Sequence, residues 1–384
     1  MTAGSRGRSH SLNATQLRGA HGNGPVLITG GAGFIGTNLA ARLLEEGQRV
    51  LAYDNLSRPG VERNLQWLRT RYGDLLQVEI ADVRDRERIA AAVAKASQVF
   101  HLAAQVAVTT SLHDPREDFD INLGGTLNVL EAMRVLEQPP SLLFTSTNKV
   151  YGALDDVTLQ VADQRYLPLD AALCETGIGE SRPLDFHSPY GCSKGGADQY
   201  VLDYARSFGL PAAVFRMSCI YGPHQCGNED QGWVAHFLIS ALRGETITIY
   251  GDGRQVRDVL FVEDLVEAFL RCQARLPQLA GRAFNMGGGP ANAVSLVDVL
   301  QHIAALTGEA PRVMHGAWRV GDQRYYVTDA SAFTEATGWK PTVSASEGIA
   351  RLHDWLAAQA ADNEMRHQHL PRPGTSLATG THAA

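Results

Sequence analysis

The chain has 384 residues, 34 of them basic and 41 acidic, giving a formal charge of −7, and 44% of its residues are hydrophobic. That balance excludes a nucleic-acid binder held by bulk positive charge and excludes disorder over most of the length. Five cysteines without a C-x-x-C pair argue against a disulfide framework or a metal site. No apolar run approaches the roughly 18 residues of a membrane span, so neither a membrane nor a nucleic acid is an expected partner and the expected address is cytoplasmic.

Residues 1–24 lack apolar periodicity and read as a disordered tail. Apolar runs then alternate with helical patterns: a strand at 26–28, a helix at 34–44, strands at 49–53 and 98–102, a helix near 122–136, a strand at 141–145, a helix near 189–208 and a strand at 212–217. This rhythm predicts an α/β fold, a Rossmann-type doubly wound parallel sheet with a smaller C-terminal substrate-binding domain. The expected division is a dinucleotide-binding domain over 25–216 with a returning segment near 255–285, and a substrate domain from 217–254 and 286–362. Residues 363–384, broken by Pro371-Arg372-Pro373-Gly374, read as a second disordered tail.

Gly30, Gly33 and Gly36 form G-x-x-G-x-x-G between the first strand and its helix. Such a turn lets backbone approach a pyrophosphate and aims helix N–H groups at its charge. Eighteen residues beyond Gly36, Asp54 ends the second strand, where a carboxylate accepts from ribose hydroxyls and repels a 2′-phosphate, which favours NAD over NADP. Asp82 follows the third strand and reads either as an adenine neighbour or as a solvated helix cap. His101-Leu102-Ala103-Ala104-Gln105 ends the fourth strand, where small residues admit a planar ring. Candidate cofactor contacts are Gly30, Gly33, Phe34, Ile35, Gly36, Asp54, Asn55, Ser57, Asp82, Val83, Leu102, Ala103, Ala104, Gln105 and Thr145, with Tyr190 and Lys194.

Of the 34 basic residues only Lys95, Lys149, Lys194 and Lys340 are lysines. A scarce lysine marks a place that calls for a compact ammonium rather than a guanidinium. Tyr190 and Lys194 form Y-x-x-x-K, one helical turn apart on one face. A phenol of pKa near 10 is a poor base at neutral pH, and one ammonium at about 4 Å is worth the roughly 4 kcal/mol needed to correct that. Thr147 ends the fifth strand, where its hydroxyl can hold a sugar oxygen while Tyr190 takes the proton.

These motifs, with Val256-Arg257-Asp258-Val259, resemble the extended short-chain dehydrogenase/reductase superfamily of NAD-dependent nucleotide-sugar epimerases and dehydratases. Ser146-Thr147-Asn148-Lys149-Val150-Tyr151-Gly152, the segment 184–195 and Glu229-Asp230-Gln231-Gly232-Trp233-Val234 are similar to its branch of 2-epimerases acting on a CDP-linked 3,6-dideoxyhexose. The likeness spans about 25–358. It implies Thr147, Tyr190 and Lys194 as catalytic residues, bound NAD, a nucleotide-sugar substrate and a homodimer or homotetramer. Related dehydratases carry Asp and Glu after the catalytic Thr, where this chain has Asn148 and Lys149, so water elimination lacks its acid and base. The expected reaction is therefore transient oxidation of a sugar carbon to a ketone and re-reduction on the opposite face. The alternatives are another nucleotide-sugar epimerase acting at C4 or on a UDP or GDP sugar, a dehydratase or decarboxylase, and a non-catalytic NAD-binding scaffold.

On the substrate side, Arg257 and Arg319 are candidates for a diphosphate clamp, with Arg324 as a further candidate. Tyr250 reads as a nucleobase neighbour or as packing. Gln231 and Trp233 are candidate walls of the sugar site. His187 reads as an orienting hydrogen bond or a proton relay. Cys219 stands where 4-epimerases of the superfamily often carry Asn, and the segment from His224 to Cys226 departs from the branch pattern. Lys149 occupies the dehydratase Glu position or is a surface charge at a strand end.

Overall fold

The computed structural model describes residues 24–368 except Val320, with side chains described to residue 361. Seven parallel strands form the main sheet: β1 (Val26–Thr29), β2 (Val50–Asp54), β3 (Leu76–Ile80), β4 (Gln98–His101), β5 (Ser141–Thr147), β6 (Ala212–Met217) and β7 (Ala283–Met286). Their order is β7-β6-β5-β4-β1-β2-β3. The order reverses between β1 and β4, which opens a crevice beyond their C-terminal ends where open α/β sheets bind ligands.

Alternate side chains of each strand enter opposite faces. Val26 and Ile28 pack with Phe100, Phe215 and Phe284 on one face, while Leu27, Val99, Leu142 and Phe144 meet Val129, Met133 and Val201 on the other. Burial on both sides is why these strands read as continuous apolar runs.

The helix Ser188–Phe208 starts with Pro189 in its first turn and buries Tyr190, Lys194, Ala197, Asp198, Val201 and Tyr204. Spacings of three and four put the reactive pair on the stripe that faces the sheet. A second sheet is built on Val256–Phe261, which pairs antiparallel with Ala293–Ser295 and parallel with Tyr325–Tyr326 and Cys219–Tyr221. Its core joins Tyr221, Phe237, Ile249, Phe261, Ile303 and Leu352.

Two expectations need correction. The returning segment 255–285 is split: Val256–Phe261 belongs to the second sheet, and only β7 enters the main one. The helix Ala345–Gln368 runs past the expected break at 363, because its sequence holds no proline before Pro371. The rest of both expected tails lies outside the described residues. Between β5 and the helix Ser188–Phe208 the chain also makes an unanticipated hairpin, Leu159–Ala162 with Arg165–Pro168.

Candidate active site

Backbone shape makes the floor of the crevice. Gly30 has φ +72°, and a Cβ on it would stand 2.9 Å from the Ala103 nitrogen; one on Gly36 would overlap the Gly30 carbonyl. The helix Phe34–Glu45 follows with no side-chain cap and no acidic residue in its first turn. The first-turn N–H groups and the positive end of the helix dipole thus meet no anion of the helix's own. Asp54 accepts from the Ala32 N–H at 3.0 Å and the Leu56 N–H at 2.8 Å. Burial raises its pKa, and those backbone donors oppose the rise. With the Gly33 N–H as a third donor, the carboxylate still has lone-pair capacity for a ribose hydroxyl. Close backbone approach, an uncapped helix start and a fixed carboxylate together fit a dinucleotide with a free 2′-hydroxyl.

The Arg84 guanidinium beside Asp82 holds its carboxyl down at about 2. Both Asp82 oxygens are engaged, by Arg84 and by Asn55 at 2.8 Å, while Ser57 N–H donates to Asn55 Oδ1 at 3.0 Å. Asp82 is not the helix cap: Asp85 caps Arg86–Lys95. Val83 is buried, and its carbonyl accepts from Asn128. The Gln105 side chain turns inward, donating to Asp118 at 2.8 Å and accepting from the Ala107 N–H at 2.5 Å. The contact expected here is one of backbone, which Gln105 shares with Leu102, Ala103 and Ala104 after β4.

Thr147, Tyr190 and Lys194 are all buried and come together where β5 ends against the helix Ser188–Phe208. Thr147 is hydrogen-bonded to the Tyr190 phenol. Burial pushes that phenol up to about 12, opposed by the Thr147 bond and reinforced by Asp118. Burial pushes Lys194 down to about 7 against the pull of Asp198 and Asp118. The Lys194 ammonium donates to the Thr145 carbonyl at 2.6 Å and sits 4.3 Å from the centre of the Phe144 ring. The expected lowering of the phenol by this ammonium is therefore not what the arrangement shows: desolvation dominates, and the lysine is held against the strand.

Sequence reasoning missed the residues that hold this cluster. Asp198 pairs with Arg216 through two bonds of 2.9 Å, and Arg216 also donates to the Tyr151 hydroxyl at 3.1 Å. Tyr151 in turn donates to Asn285 at 2.7 Å. Asp118 accepts from Ser193, Gln105 and Asn122. Asp198 alone carried a local signal, four residues after Lys194 on the same helical face; its partner is on β6.

Lys149 begins the wall opposite. Its Nζ donates to Gln323 Oε1 at 3.3 Å. Arg257 gives its guanidinium to Asp322 at 2.7 Å and to the carbonyls of Val256 and Gln323. Trp233 donates to the Cys219 sulfur at 3.5 Å, and Asn148 is buried beside Thr147. Gln231 closes a turn with Asn228, while Arg319 lies 3.8 Å from the Tyr250 ring centre and pairs with Asp230 at 3.3 Å. Tyr250 thus has one face covered by a guanidinium, and its hydroxyl donates to Glu229. The structure does not bring Arg324 or His187 to the cluster. Arg324 is exposed over Trp318 and Tyr166, and His187 meets Asp185 at 3.0 Å rather than Tyr190. Among the described residues no group of three or more His, Cys, Asp or Glu could hold a metal ion.

Residues 26–287 match the family described as NAD dependent epimerase/dehydratase. The chain is 42% identical to the CDP-paratose 2-epimerase of Salmonella typhi over 87% of its own length and 99% of that protein. It is 31% identical to a dTDP-glucose 4,6-dehydratase of Xanthomonas campestris, covering 86% and 92%. Its fold is similar to the Thermus thermophilus UDP-glucose 4-epimerase in complex with NAD, with a TM-score of 0.72, 32% identity and coverage of 87% and 99%.

Proposed function

Since this chain belongs to the NAD dependent epimerase/dehydratase family, we propose that it inverts C2 of a CDP-linked 3,6-dideoxyhexose, with the crevice at β1 and β4 as its NAD site. The observation that carries the reading is the buried Thr147–Tyr190 hydrogen bond beside Lys194, followed by Asn148 and Lys149 in place of a carboxylate pair. The first arrangement handles a sugar hydroxyl proton; the second leaves elimination without an acid and a base. In this reading residues 25–216 carry the dinucleotide unit and most of the remainder the nucleotide-sugar unit.

NAD, when bound, supplies a positively charged acceptor for the two electrons of a C–H bond and returns them. Thr147 fixes the oxygen of the sugar hydroxyl, and Tyr190 takes its proton as the carbon becomes a ketone. Only as the phenolate can Tyr190 accept that proton, and the phenol so formed, whose pKa burial raises to about 12, gives it back when the ketone is reduced. Lys194 supplies the positive charge that favours the phenolate for the first step, most fully below its pKa of about 7. Burial of Thr147, Tyr190 and Lys194 keeps water from the exchange. The ketone must turn over within the pocket before the proton returns.

The reading includes a homodimer or homotetramer joined through the helix Ser188–Phe208, supported by exposed Tyr200 and Phe208 and by Leu112 and Phe119 nearby. It also includes a reducing, cytoplasmic setting, supported by free thiols at all five cysteines. NMR of products from CDP-paratose and UDP-glucose tests the chemistry. CDP-paratose should be inverted at C2 and should keep a C2 deuterium label in ordinary water. Turnover of UDP-glucose alone, or loss of the label to solvent, overturns the reading; light scattering on the same preparation reads the assembly.

A further inference from the structure

On the wall facing Thr147, Lys149 forms no ion pair with a carboxylate among the described residues. Arg257 is met by Asp322, and Arg319 by Asp230. Lys149 meets an amide oxygen instead, that of Gln323, which is itself fixed by a bond from its Nε2 to the Gly152 carbonyl at 2.6 Å. Burial and the nearby Arg257 guanidinium push the ammonium down to about 8, while Asp322 and Cys219 raise it. The Asp322 carboxylate is taken by Arg257, so the half-buried Lys149 ammonium keeps room for an anionic partner. An ammonium has three donors, and Gln323 takes one.

Position says which anion. The Lys149 N–H donates to Thr147 Oγ1 at 3.2 Å, and that hydroxyl is bonded to the Tyr190 phenol. The cation and the acid–base pair therefore stand at one short turn, Thr147 capping Asn148–Tyr151. The Lys149 backbone adjoins the acid–base pair, and its side chain runs from there to Gln323 on the facing wall. The anion of a nucleotide sugar is its diphosphate, attached through oxygen at C1. C2 is bonded to C1, whereas C4 lies across the ring.

Resting on the reading given above, we propose that Lys149 holds the sugar-proximal phosphate and so sets C2, rather than C4, as the carbon presented to Tyr190. Lys149 is then a specificity-determining residue that touches substrate without taking part in proton transfer. Its scarcity in an arginine-rich chain fits the site: a rotatable point donor suits a narrow space beside Arg257 where a planar fork does not.

The test compares Lys149→Met and Lys149→Arg with the parent, all NAD-loaded, by calorimetric titration with CDP and CMP and, in parallel, UDP and UMP. Lys149→Met should bind the diphosphates about tenfold to a hundredfold more weakly, the loss of one charge-assisted hydrogen bond, and bind the monophosphates as the parent does. Lys149→Arg should keep most of the diphosphate affinity. Equal weakening of mono- and diphosphates, or no weakening of either, overturns the proposal, and unchanged NAD content and melting temperature show that the variants fold. With CDP-paratose, the parent should show a primary isotope effect for deuterium at C2 and none at C4; an effect at C4 alone overturns the placement. Failure of the parent to turn over CDP-paratose, with the diphosphate contrast intact, removes the substrate reading and keeps the phosphate contact.

Discussion

Tyr190→Phe should lower kcat/KM about a thousandfold while leaving bound NAD and the melting temperature close to those of the parent. The ring is 8% exposed and keeps its packing in the variant; only the hydroxyl is lost. That hydroxyl is the proton carrier in both halves of the reaction, and a positioned acid–base group is worth about 10² to 10⁴ in rate. Thr147 loses a hydrogen-bond partner, but it still accepts from the Lys149 N–H at 3.2 Å and keeps its place at the end of β5. Steady-state kinetics with CDP-paratose and mass spectrometry for NAD read the two quantities separately. A variant with undiminished turnover would remove Tyr190 from the chemistry.

How much of this was legible follows from the range of each interaction. The strands of the main sheet announce themselves because both faces are buried, so that Val26, Leu27 and Ile28 read as one apolar run although they enter different cores. Gly30, Gly33 and Gly36 encode a turn within seven residues, and Tyr190 and Lys194 lie one helical turn apart; both signals are local. The partner of Lys149 lies 174 positions away at Gln323, and nothing in either segment names the other. Arg257 was expected to offer its fork to a ligand, yet the fold brings Asp322 and two carbonyls to it. The electrostatic argument for Tyr190 was incomplete for a related reason. Spacing placed an ammonium on the right face, but burial and the Thr145 carbonyl, neither visible in a motif, decide where that charge sits and how far the phenol is shifted.

Arg216→Met should cost about 3–5 kcal/mol of stability, because it leaves the Asp198 carboxylate buried without its counter-charge. The Asp198 side chain is fully buried and that of Arg216 is 6% exposed, and both of their bonds measure 2.9 Å. The pair ties the middle of the helix Ser188–Phe208 to the end of β6, and the third arm of Arg216 on the Tyr151 hydroxyl ties in the turn that carries Asn148 and Lys149. Loss of the arginine thus loosens the two segments whose meeting forms the Thr147–Tyr190 bond, and activity should fall alongside stability in chemical denaturation. Replacing both partners separates the causes. Asp198→Leu with Arg216→Met removes the orphaned charge and should recover most of the denaturation midpoint, since an ion pair and a packed apolar pair of similar volume often differ little. Activity should stay low in the double variant, because Tyr151 remains without its guanidinium. A single variant as stable as the parent would show that the pair does not anchor the helix, and a double variant no more stable than the single would show that the orphaned charge was not the cause.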